Sequence, residues 1–206
     1  MPSRINPRVV AAVLAVLASL WSLFLLPAQH VAWESLPDYP APGWAHAIEP
    51  LPIYDGYRAL FAPLGWTEDY LLFGASASVS FVLLAFAMRP ITTTLGVTGA
   101  ITFWVTLASG PMVIVSYLAR DWPHPLRALW GIEPFLLIAI GLLAIVCAIA
   151  AFRRGIRPRW PIVRFGALLA FFIGGAVLFA YYPHGSMVIG GLAVAASVGW
   201  WDTRSR

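Results

Sequence analysis

The chain has 206 residues and 22.4 kDa, with 60% hydrophobic and only 11% charged residues and a mean hydropathy of +0.80. Soluble domains carry about a quarter charged residues, so this composition excludes both a soluble enzyme and a disordered chain and requires an integral membrane protein. The net charge is +4 and the pI near 9.6, yet no lysine is present, which removes a Schiff-base lysine, a pyridoxal phosphate enzyme and a P-loop from consideration. The lone Cys147 lies inside an apolar run, reads as a small core residue, and leaves no internal disulfide or C-x-x-C chemistry.

Six apolar runs are long enough to cross a bilayer core of about 30 Å. They cover residues 9–28, 70–88, 95–119, 134–152, 165–182 and 186–201, giving an all-α, single-domain bundle of six membrane helices. The first run follows Arg4 and Arg8, but it is longer than a signal-peptide core and no small-x-small cleavage site follows, so it reads as a retained helix.

Arginine placement sets the orientation. With the N-terminus inside, the inner segments hold Arg4, Arg8, Arg89, Arg153, Arg154, Arg157, Arg159, Arg164, Arg204 and Arg206, whereas the outer segments hold only Arg58, Arg120 and Arg127. The positive-inside rule then predicts two cytoplasmic termini in a bacterial plasma membrane. The basic stretch 153–164 (RRGIRPRWPIVR) accounts for the high pI as a topology anchor on anionic headgroups, and nucleic acid is not expected as a partner.

Residues 29–69 form the largest outer segment. Its first half carries prolines at 37, 40 and 42 and should be extended; in its second half Ile53, Tyr54, Tyr57, Leu60, Phe61 and Leu64 recur at helical spacing and predict a short amphipathic helix in the outer interface or folded over the bundle mouth. A tighter outer turn covers residues 120–133. All seven tyrosines and Trp33, Trp44, Trp66, Trp122 and Trp130 fall on the outer side, where an aromatic belt is the simpler reading and a pocket for a sugar, quinone or lipid tail the alternative.

Small residues mark packing faces, since lipid supplies no hydrophobic drive between helices. Gly166, Ala170 and Gly174 on span five and Gly191, Ala195 and Gly199 on span six predict a tight antiparallel hairpin, and Ala11, Ala15 and Ala18 a docking face on span one. Span three carries Thr94, Thr98, Thr102 and Thr106 with Ser109 nearby, a hydroxyl stripe that either lines a polar path or bonds back to its own helix. Ser109-Gly110-Pro111 is expected to break or kink that helix.

His30, His46, His124 and His184 all map outside. His30, His124 and His184 are candidate metal ligands, and His124, His184, Asp121 and Glu133 candidate acid–base groups, but no H-x-x-x-H or H-E-x-x-H spacing supports either set. No cofactor is expected: paired intramembrane histidines for haem are missing, as are intramembrane carboxylates for ion coupling. Six spans, a long outer first loop, and the segments GASAS (74–78) and HGSMVIGG (184–191) resemble rhomboid proteases. A rhomboid places a G-x-S-G serine on span four; here Gly74-Ala75-Ser76-Ala77 lacks the last glycine and lies on span two, so rhomboid catalysis is not carried over.

The reading that results is a non-enzymatic polytopic protein, a subunit or accessory factor of a membrane assembly whose outer face binds a partner or a lipid. The alternatives are a small permease or lipid-handling transporter using the threonine face, and an outer-face enzyme acting on a lipid-linked substrate.

Overall fold

The computed structural model describes residues 6–34 and 39–201. Pro37, Asp38, Asp202 and Arg4, Arg204 and Arg206 lie outside the described residues. The fold is all-helical, 79% helix with no strand among the described residues. Four helices are long and apolar enough to cross a membrane, or five if one bent pair forms a single span. Their outward faces remain apolar: Val13, Leu17 and Leu20 on the first long helix, Ile101 and Trp104 on the third, and Phe135, Leu142 and Ile149 on the fourth are all exposed. A chain that hides its polar groups and presents such residues outward is a membrane protein.

Helix α1 (Pro7–Trp33) starts where the Asn6 side chain accepts the Arg8 N–H at 3.0 Å, and it continues through Pro27. It is the central element, with Ala11, Ala15 and Ala18 buried against its neighbours. Two short helices follow, α2 (Gly43–Ile48) and α3 (Pro52–Phe61). Ile53, Tyr54, Tyr57, Leu60 and Phe61, at helical spacing in the sequence, lie on α3. It is pinned to the bundle by its aromatic face: the Tyr54 hydroxyl donates to the Phe24 carbonyl at 2.8 Å, Tyr54 stacks on Phe24, and the Tyr57 hydroxyl lies 2.6 Å from Ser76 Oγ. On its other side Arg58 gathers Asp69, Asp55 and Glu49 into one ion-pair cluster. Hydrogen bonding to Asp69, then to Glu49, holds its guanidinium above the ordinary range despite partial burial.

The second long stretch, Asp69–Thr92, is three helical pieces: α4 (Asp69–Ser76), α5 (Ser78–Ala87) and α6 (Arg89–Thr92). At the first break Ser80 N bonds Ala77 O rather than Ser76 O, and the vacated Ser76 carbonyl accepts the Trp21 indole N–H at 2.8 Å. Ser80 donates to the Ala18 carbonyl and lies 2.8 Å from Ser22 Oγ, so the serines of this span bind it to α1.

Helix α7 (Val97–Leu118) runs unbroken through Pro111, contrary to the break expected at Ser109–Pro111. Helix α8 is Glu133–Arg153. The fifth stretch begins earlier than residue 165: α9 (Arg159–Gly166) and α10 (Leu168–Leu178) meet at 52° and the helix stops before Tyr181. Helix α11 (His184–Val198) has only 15 residues, about 22 Å at 1.5 Å per residue.

The glycine faces also differ from expectation. A Cβ on Gly175 would meet Gly185 O at 2.3 Å and one on Gly190 would meet Phe172 at 2.1 Å, so these residues close the α10–α11 hairpin. Gly191 instead faces α1, where a Cβ would lie 2.3 Å from Ser19 Oγ, and Gly174 has nothing within 4 Å. The i, i+4 spacing identified small-residue faces but not which neighbour each face meets.

Contacts sort the bundle into two ends. His30, Tyr39, Tyr70, Tyr117, Trp130 and His184 meet at one; at the other Arg154 donates to the Thr94 carbonyl at 2.7 Å and Trp160 packs on Trp200.

Candidate functional site

Part of the aromatic-rich end is a connected interior, while Trp44, Trp130 and Tyr182 are exposed. Tyr54, Tyr70, Tyr117 and Tyr181 are all buried. Tyr181, in the connection between α10 and α11, is the hub: its oxygen accepts from Gln29 Nε2 at 2.9 Å. Its ring packs against His30 (centroids 5.2 Å), Trp33 (5.8 Å) and His184 (5.4 Å). Gln29, His30 and Trp33 come from α1 and His184 from α11, and the ring contacts Trp33–Tyr70 and Tyr70–Tyr117 carry the network on to α4 and α7.

The two buried histidines are held by main-chain carbonyls. A carbonyl only accepts, so His30 donates through Nε2 to Phe179 O at 2.9 Å and His184 donates through Nε2 to Phe73 O at 3.2 Å. Tyr39 bridges His30 Nδ1 (3.0 Å) and the Ala180 carbonyl (2.8 Å), and burial pushes its hydroxyl up to about 12, so it stays neutral. The Phe179 and Ala180 carbonyls flank a left-handed residue, Ala180 (φ 50), a conformation disfavoured for alanine by about 1–2 kcal/mol.

Beside this network lies a cleft of about 160 Å³ lined by Trp33, Tyr70, Tyr117, Trp130, Gly131, Glu133 and Tyr182. Gly131 turns the chain with φ +79, and its N–H donates to Ser116 Oγ at 3.0 Å. Glu133, the first residue of α8, is 5% exposed. Among the described residues no arginine or histidine forms an ion pair with it. The Trp130 indole N–H donates to Tyr70 Oη at 2.7 Å, while Arg120 stacks on Tyr70 at 4.4 Å and is itself neutralised by Glu68 and Asp121. Three buried polar atoms around Tyr181 have no hydrogen-bond partner among the described residues: Gln29 Oε1, Trp33 Nε1 and His184 Nδ1. Buried polar atoms are rarely left in this state, since each costs about 1–3 kcal/mol.

The structure thus joins His30 and His184 through Tyr181 and puts Glu133 into the adjoining cleft, but it does not gather the full predicted set. His124 is exposed in the 120–133 turn, Asp121 is exposed and paired with Arg120, and His46 pairs with Glu34 at 3.1 Å on the surface. No group of three or more His, Cys, Asp or Glu side chains suited to a metal occurs among the described residues. Three hydroxyls of the expected stripe bond back within α7, Thr102 to Thr98 O, Thr106 to Thr102 O and Ser109 to Val105 O, while Thr94 lies before α7 and donates to Ile91 O of α6. Thr102 also meets Cys147 Sγ at 3.1 Å, which places that face in the α7–α8 seam. Gln29 and Ser116 carried no motif and escaped sequence reasoning; the one cue was a polar side chain at the end of an apolar run.

No family model, curated protein or solved structure matches the chain.

Proposed function

We propose that the chain crosses a bacterial plasma membrane six times, with both termini cytoplasmic, and acts as a non-enzymatic binding factor or accessory subunit whose outer end takes a small ligand or lipid headgroup. The excess of arginine at the Arg154 end supports the orientation. The short α11 can serve as the sixth crossing because aromatic and turn residues flank it, Tyr181 and Tyr182 before and Trp200 and Trp201 after, and a bilayer thins around a short helix at modest cost.

The observation that carries the binding reading is the cleft: a buried carboxyl at its wall, an aromatic lining, and three unpartnered polar atoms in the network beside it. Convergent polar groups in a mostly aromatic concavity are what ligand recognition requires. The threonine face supports a transport path less well, since the Thr102 and Thr106 hydroxyls already donate to carbonyls of α7.

Native mass spectrometry of the protein extracted gently from its own membrane tests this reading. The expected result is a stoichiometric lipid, small-molecule or protein mass added to the chain; a bare chain under conditions that retain lipid on other membrane proteins would contradict it.

A further inference from the structure

We propose that the outer cleft is a recognition site for an organic ammonium cation, the chemistry shared by zwitterionic lipid headgroups and by free choline-like solutes. The proposal rests on the binding reading above and names the ligand class.

Three observations carry it. First, Glu133 is buried without a cationic partner among the described residues. An ionised carboxylate in such a place is costly unless a cation compensates it. Second, the remaining walls are the faces and edges of two tryptophans and three tyrosines, Trp33, Trp130, Tyr70, Tyr117 and Tyr182, whose rings attract ammonium groups through their quadrupoles. Tyr70 already binds a cation in this manner, with the Arg120 guanidinium 4.4 Å from its centroid. Third, the size is that of a headgroup. A volume of about 160 Å³ equals about five waters at ~30 Å³ each, well below the ~300 Å³ at which drug-sized pockets begin.

The surrounding charges permit this. Glu68, Asp121 and Glu133 stand against Arg120 and Arg127, a balance of three negative and two positive groups.

The test is isothermal titration of the full chain in nanodiscs of phosphatidylglycerol alone, which contain no ammonium headgroup. Choline should bind at least about tenfold more tightly than its neutral isostere 3,3-dimethylbutanol, a comparison that needs no substitution. Glu133→Gln, checked for an unchanged melting temperature, should weaken choline by about tenfold or more, whereas Glu34→Gln at the surface should leave it unchanged. Repeating the titration with phosphatidylethanolamine in the disc separates the sources: loss of choline binding assigns the site to the lipid headgroup, and unchanged binding assigns it to a free solute. Equal binding of choline and the neutral isostere, or no choline binding by folded protein, would overturn the proposal. A neutral molecule found on the native chain would overturn the ammonium assignment alone, while a bare chain would remove the ligand site itself.

Discussion

Tyr181 anchors the polar chemistry of the aromatic-rich end. Tyr181→Phe keeps the ring packing against His30, Trp33 and His184 but deprives Gln29 Nε2 of its acceptor. Gln29 Oε1 already lacks a partner, so the whole amide would be stranded. The expected loss is about 1–3 kcal/mol, seen as a lower melting temperature in detergent with helix content unchanged. An unshifted transition would show that these hydrogen bonds contribute little. Thr98→Val with Thr102→Val should cost about 1 kcal/mol or less and leave any bound mass in place, because both hydroxyls lie in the α7 seam and Thr102 bonds its own helix. Loss of the ligand in that double variant would restore the transport-path reading. At this scale the sequence revealed residue types but not their facing. Seven tyrosines on one side satisfy either a belt or a buried cluster, and only tertiary packing of α3 and of the Tyr181 turn decides between them.

Glycine contacts distinguish the helix pairings. Gly191→Ala should separate α11 from α1, since the new methyl would fall 2.3 Å from Ser19 Oγ and 2.8 Å from Ala15 O; a loss of about 1–3 kcal/mol is expected. Gly174→Ala meets nothing within 4 Å and should stay within about 0.5 kcal/mol of the parent. Thermal melts of the two variants side by side check the pair, and the opposite ranking would mean that the expected Gly174 face, not Gly175, closes the hairpin. Composition and hydropathy made the long helices legible, with α1, α7 and α8 close to their predicted bounds. The bend between α9 and α10 and the pieces of the second stretch were not legible, because apolar runs hide backbone breaks whose freed carbonyls find partners elsewhere in the bundle. Ser76 O, taken by the Trp21 indole, is one such case. Pro111 shows the converse, a break signal that a packed membrane helix absorbs.

Across the whole molecule, the polar asymmetry between the two ends joins topology to function. One end carries the paired aromatics, buried histidines and the Glu133 cleft; the other carries the exposed arginines of the 153–164 stretch. The ligand site can serve the cell exterior only if the aromatic end faces outward. Cysteine labelling tests this directly, because Cys147 is fully buried and Cys147→Ala supplies a background without thiols. In that background Tyr182→Cys, at the exposed lip of the cleft, should react with a membrane-impermeant maleimide on intact cells, and Arg157→Cys only after permeabilisation. The reverse pattern, with residue 157 labelled from outside and residue 182 protected until the membrane is opened, would contradict the account.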